Sequence, residues 1–316
     1  MSESNDQALT PGVTGEQIWL DGKFVDWTAA NVHILTHTLH YGLGVFEGIR
    51  CYRTQDGRSA VFRLADHVRR LFDSARINLL EVPFRPDEIE QASLEALRRN
   101  HLDEGYIRPI VFIGDGEMGL NPGSNKIRVA VIVWAWGKYL GEDGIENGIR
   151  AKVSTFSRHH VNAKMTKGKT CGDYVNSILA KREALLDGFD EAIMLDTHGL
   201  VSEASGENIF VVRDGVLRTP PLHTVLDGLT RGAICELARD RGIQVEERLI
   251  TRDDLYIADE IFLTGTAAEV TPVREIDHRQ IGNGKRGPIT DKLQRAFFDV
   301  VAGREPKYQR YLTYLS

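Results

Sequence analysis

Long apolar runs are missing from this sequence: none approaches the roughly 18 residues that a membrane-spanning helix needs. Cysteine is scarce. Cys51, Cys171 and Cys235 are the only three in 316 residues, and no two stand as Cys-x-x-Cys, which excludes a disulfide framework. Positive charge is in deficit, with 39 Lys and Arg against 45 Asp and Glu. The net charge of -6 and the absence of any long basic run argue against a general affinity for nucleic acid. Residues 1–10 are polar and acidic, unlike a signal peptide. The expectation is a cytoplasmic protein with neither a membrane nor a nucleic-acid partner.

What is present is an ordinary globular composition, 42% hydrophobic and 27% charged, in a chain long enough for two domains. Ile18 to Trp27 alternates around Asp21-Gly22, a hairpin signal. Gly44 to Tyr52 and Ser59 to Phe62 read as strands. Leu64 to Ile77 has helical spacing, with Leu64, Val68, Leu71 and Phe72 on one face. Pro86 opens a second helix running to His101, and Tyr106 to Ile113 and Ile127 to Trp136 read as apolar strands. Glycine-rich residues 137–148 read as a linker between a small domain, 1–136, and a larger one, 149–316. The second half carries further strands, with helices near 173–187, 229–241 and 288–302. The fold class is α+β.

The stretch from Ala163 to Phe210 is the most informative. Lys169 stands in a loop just before a helix, Tyr174 follows five residues later, and a short strand and turn lead back to Glu203. A fixed amine and a returning carboxylate suit pyridoxal phosphate (PLP), which needs a Schiff-base lysine and an acidic partner for its ring nitrogen. Gly168-Lys169-Thr170 is not a P-loop, because Ala163 stands where the first glycine of that motif belongs. Asp227 to Arg231 opens a helix, and Thr264 to Ala268 follows an apolar strand; both could offer amides to an anion. His159-His160 lacks a carboxylate at suitable spacing, and two adjacent histidines on a strand point apart, so no metal is expected.

These segments together carry a resemblance. HTLHYGLGVFEGIRCY (37–52), FRLADHVRRL (62–71), GYIRPIVFIGDGEMGLNP (105–122), KTCGDYVNSILA (169–180), VSEASGENIF (201–210), GLTRGAI (228–234) and LTGTAAEVTPV (263–273) resemble, in order, the branched-chain amino acid aminotransferases of class IV. The resemblance implies a fold type IV PLP enzyme: a small α/β domain, a larger domain with a mixed β-barrel-like core, and an active site at the domain cleft. It implies that Lys169 holds PLP through a Schiff base and shuttles the proton. Glu203 would pair with the ring nitrogen and Tyr174 with the ring hydroxyl. Arg70, Leu229, Thr230 and Thr266 would hold the phosphate. Tyr106, with the amides of Thr266 and Ala267, would take the substrate α-carboxylate. Phe46, Trp136, Tyr139 and Tyr174 would line the side-chain pocket, and Tyr41 and Leu120 would reach in from a partner subunit, making a homodimer the minimum assembly.

The implied reaction moves an amino group between leucine, isoleucine or valine and 2-oxoglutarate, returning glutamate. One pocket must then accept both an apolar side chain and a γ-carboxylate. Arg108, two residues from Tyr106 and on the same strand face, is the candidate cation; its alternative is a structural salt bridge. Relatives on the same fold, a D-amino-acid or (R)-amine transaminase or an aminodeoxychorismate lyase, fit less well, because Tyr106 to Pro109 (YIRP) resembles the branched-chain group. The sequence departs from the usual pattern in three places: Lys167-Gly168 before Lys169, Asp173, and Asp227.

Overall fold

The computed structural model describes residues 13–137 and 141–315. The chain separates into two compact units, one reaching Trp136 and including Thr313–Ser316, the other Gly137–Leu312.

In the first unit the strand Gly105–Ile113 is central. It pairs antiparallel with Ile127–Trp134, from Tyr106↔Trp134 to Ile113↔Ile127. On its other side stands not the single strand expected over Gly44 to Tyr52 but two, Gly44–Phe46 and Ile49–Arg53. The interruption has a local cause. Pro109 has no N–H to offer the neighbouring strand, so pairing stops at Phe46↔Ile110 and resumes at Ile49↔Ile107. Glu47 and Gly48 are left between, with only the Glu47 amide bonded to the Pro109 carbonyl, at 2.9 Å. Glu47 turns into the interior, fully buried.

The hairpin at Asp21-Gly22 forms as expected. Leu20 pairs with Lys23, and both turn residues take positive φ, 50° and 93°, which an Asp-Gly pair tolerates best. Two helices, Leu64–Ile77 and Pro86–Arg99, cover one face of the sheet. Leu64, Val68 and Leu71 are completely buried, each such side chain contributing roughly 1.5–3 kcal/mol. Phe72, placed on the same face by its spacing, is only half-buried and packs at the rim of that core.

The second unit holds a mixed sheet. Ile149–Val153 runs parallel to both Glu191–Leu195 and Glu269–Ile276, while Asn208–Arg213 and Glu260–Gly265 pair antiparallel. Its helices are Tyr174–Leu186, Leu229–Asp240 and Pro288–Val301. The stretch read as an irregular linker carries a further helix, Gly141–Asn147, closed by Gly148 at φ 84° and anchored by buried Ile145. Helix Tyr174–Leu186 buries small residues, Ser177, Ala180 and Ala184, against Ala192 and Met194. A short 3-10 turn, Cys171–Asp173, leads into it. Among the described residues no helix is long and apolar enough to cross a membrane.

Candidate active site

Within the second unit a partly open cavity is lined by Arg158, Lys169, Tyr174, Glu203, Gly206 and Leu226, among others. Three lysines stand in the loop beside it, and their bonds separate them. Lys164 Nζ is held by the Gly172 carbonyl at 2.5 Å and by Asp173 at 3.3 Å. Lys167 donates to the Leu222 carbonyl, and burial lowers its pKa. Lys169 Nζ donates to the Tyr174 hydroxyl at 2.6 Å, inside the cavity. The turn Cys171–Asp173 is what brings position 174 back over position 169.

Glu203 lies in the strand Val201–Ala204, whose pairing with Glu191–Leu195 slips between Val201 and Glu203. Such a bulge re-aims a side chain. Here the carboxylate reaches Arg158 Nη2 at 2.6 Å and Asn208 Nδ2 at 3.2 Å. Burial pushes the Glu203 carboxyl above its usual range, and Arg158 opposes that rise most strongly. Asn208 also donates to the Leu226 carbonyl at 3.0 Å. A methyl group on Gly228 would meet Asn208 Oδ1 at 1.9 Å, so the entry to helix Leu229–Asp240 lies directly against the residue that holds Glu203. That helix begins with Leu229 and Thr230, the latter buried. Thr266 and Ala267 occupy the turn after Glu260–Gly265, and Gly265 packs beside Gly206.

The other expected residues, Tyr139 apart, belong to the first unit. Tyr106, Trp134 and Trp136 form an aromatic group, with ring centroids 4.4 Å apart for Tyr106 and Trp136 and 5.1 Å for Tyr106 and Trp134. The Arg108 guanidinium lies over Phe46 at 4.7 Å and Tyr106 at 5.4 Å. Its Nε is buried without a hydrogen-bond partner, and no carboxylate pairs with it among the described residues. The salt-bridge alternative for Arg108 therefore has no support. Arg70 donates to Glu47 through Nε at 2.6 Å and Nη2 at 2.9 Å, and His67 bonds the same carboxylate. Tyr41 ends a short helix, its ring tilted against His37 at 4.5 Å, and is 43% exposed; Leu120 is 93% exposed. Tyr139 lies outside the described residues. Gly48 sits tightly under Tyr106, and a methyl group there would fall 1.8 Å from the Tyr106 hydroxyl. Gly48→Ala should therefore displace that ring and cost about 1–3 kcal/mol of stability, read as a lowered denaturation midpoint. An unchanged midpoint would mean the ring relocates freely.

A family model for amino-transferase class IV matches residues 44–276. The branched-chain-amino-acid aminotransferase of Pseudomonas aeruginosa is 52% identical over 296 residues, 94% of this chain and 96% of that protein. Among solved structures, the branched-chain amino acid aminotransferase of Escherichia coli superposes with a TM-score of 0.94 at 43% identity, covering 96% of this chain and all of that one. The enzyme of Thermobaculum terrenum, solved in its PLP form, gives a TM-score of 0.90 at 33% identity, covering 96% of this chain and 99% of that one.

The chain belongs to the class IV aminotransferases, among the branched-chain-amino-acid aminotransferases.

This class IV aminotransferase is a PLP enzyme, and its residues fit the cofactor: an amine at the cavity wall, a hydroxyl beside it, and a buried carboxylate backed by an arginine. The sequence reading missed Arg158 and Asn208, which bind Glu203 from a loop and a strand end. Their only sequence signal was nearness to motifs already noted, His159-His160 and Gly206-Glu207. The histidine pair lies in a loop rather than on a strand; His159 lines the cavity, its pKa lowered by burial and then by Lys164 and Arg158. Among the described residues no group of His, Cys, Asp and Glu could hold a metal ion.

Proposed function

We propose that this aminotransferase moves the amino group reversibly between L-leucine, L-isoleucine or L-valine and 2-oxoglutarate, with Lys169 as the reacting lysine. The hydrogen bond from Lys169 to Tyr174 inside the cavity carries the assignment. Bound PLP supplies the electron sink that makes the substrate Cα–H acidic. Lys169 Nζ carries that proton, and the Tyr174 hydroxyl fixes where Nζ points. Glu203, kept ionised by Arg158, holds the proton at the ring nitrogen. Arg70, Leu229, Thr230 and Thr266 take the phosphate. Tyr106 and the amides of Thr266 and Ala267 take the α-carboxylate. Phe46, Trp136, Tyr139 and Tyr174 surround the side chain, and Arg108 meets a γ-carboxylate when glutamate occupies the same place.

The working unit is a homodimer or a higher homo-oligomer in the cytoplasm, with Tyr41 and Leu120 offered to the partner. In support, the outer sheet face of the first unit carries an open apolar hollow lined by Ile18, Leu20, Ile110 and Phe112, next to exposed Leu39 and Ile34. A second copy is the natural cover for such a patch. Borohydride reduction of the PLP-loaded protein, followed by peptide mapping, should place the pyridoxyl group on Lys169. Recovery on Lys164 or Lys167 would overturn the assignment of every residue in the site.

A further inference from the structure

Behind the floor of the cavity lies a second group of buried charge. Glu191 is completely buried and accepts from Lys181 Nζ at 2.5 Å and from Ser205 Oγ at 2.6 Å. Glu207, 5% exposed, receives one bond on its carboxyl, from the Gly206 amide at 3.1 Å. No cation pairs with it among the described residues. The two nearest ion pairs leave it out: Arg158 pairs with Glu203, and Lys181 with Glu191. A third carboxylate would stand uncompensated in the interior, a costly arrangement that protonation removes. Burial above all, then the negative charge of Glu191, raises the Glu207 carboxyl to about 8; Lys181 pulls against this and Glu203 adds to it.

Glu207 is also placed where its protonation has an effect. Its carbonyl accepts from the Ala204 amide at 2.7 Å, closing the turn Ala204–Glu207. Glu203 precedes that turn, and Ser205 and Gly206 within it line the cavity. On the far side the Glu207 stem packs against Gly265, where an added methyl group would stand 3.5 Å from Cγ.

We propose that Glu207 is a positioning residue working as a neutral acid, whose proton keeps this turn seated so that Glu203 and Gly206 hold their places in the cofactor cavity. Ionised, it sets a second negative charge against Glu191 and Glu203 and unseats the turn. The consequence for cofactor rests on the reading of this cavity as the PLP site; the proton itself does not.

Folding raises the Glu207 carboxyl from the ordinary 4.5 to about 8, through burial and then the charge of Glu191. Between those values the folded chain holds one proton more, so its contribution to stability falls as pH rises. Thermal unfolding of the cofactor-free protein across about pH 5 to 9 should therefore show wild type losing stability faster than Glu207→Gln. The difference approaches a factor of ten in the folding constant per pH unit below 8. Glu207→Gln, the same shape without the charge, should also keep its PLP affinity above about pH 8, where wild type loses it. Equal slopes, or equal alkaline loss of PLP, would overturn the proposal, as would a Gln variant that fails to fold. Infrared spectra of wild type should in addition show a protonated carboxyl band that disappears near pH 8, and its absence at neutral pH would also overturn it. Failure of the PLP-site reading would register differently, as a pyridoxyl group away from Lys169.

Discussion

Arg158→Met should lower kcat by about 100-fold or more at neutral pH while leaving the fold largely intact. The 2.6 Å pair with Arg158 is the main influence opposing the rise that burial imposes on the Glu203 carboxyl. Removing the cation leaves burial in command, and Glu203 takes up a proton. The roughly 2.7 kcal/mol behind a 100-fold loss is within the range of about 1.5–3 kcal/mol for a lost hydrogen bond to a charged group. A protonated Glu203 cannot hold a second proton at the ring nitrogen. The sign with pH follows: the variant should recover activity as pH rises and Glu203 ionises. Arg158→Lys should retain more activity than Arg158→Met, and adding Glu203→Gln to Arg158→Met should cost little more, since both changes remove one interaction. Steady-state kinetics across pH would decide. Full activity of Arg158→Met at neutral pH would show that Asn208 and the Leu226 amide are enough to hold the carboxylate.

Arg108→Met should slow the glutamate and 2-oxoglutarate half-reaction by roughly 10- to 100-fold, the effect of losing one charged hydrogen bond. The leucine half-reaction should change much less, because an apolar side chain gains nothing from the charge. The guanidinium sits over Phe46 and Tyr106 with its Nε unused. Aromatic faces favour a cation by about 0.5–2 kcal/mol but leave its hydrogen bonds to be made elsewhere. Single-turnover measurement of each half-reaction would show the split. Equal losses in both would mean that Arg108 binds the α-carboxylate or only braces the wall.

Much of this was legible in the sequence because it rests on local chemistry. Pro86 marks a helix start, Asp21-Gly22 marks a hairpin, and the five-residue step from Lys169 to Tyr174 needs only one tight turn. What stayed hidden depends on distant partners. Nothing in Phe46-Glu47-Gly48 announces that the strand breaks there, since the cause is the missing N–H of Pro109 on the neighbouring strand. Arg158 looks like any loop arginine until the fold sets it against Glu203. Likewise, Gly141 to Asn147 has a loop's composition, and its helix depends on burying Ile145 and on Gln294, whose Nε2 donates to the Ile145 carbonyl at 2.9 Å.

The short strand Leu312–Tyr314 borders Ser59–Phe62 at one edge of the first sheet, and the Leu315 amide bonds the Ser59 carbonyl at 2.9 Å. During synthesis that edge waits for roughly 250 further residues, so the nascent chain carries an open β-edge until residues 312–315 emerge. An unpaired edge invites pairing with other chains. That exposure lasts until residues 312–315 arrive to cover the edge, however early the rest of the first unit collapses.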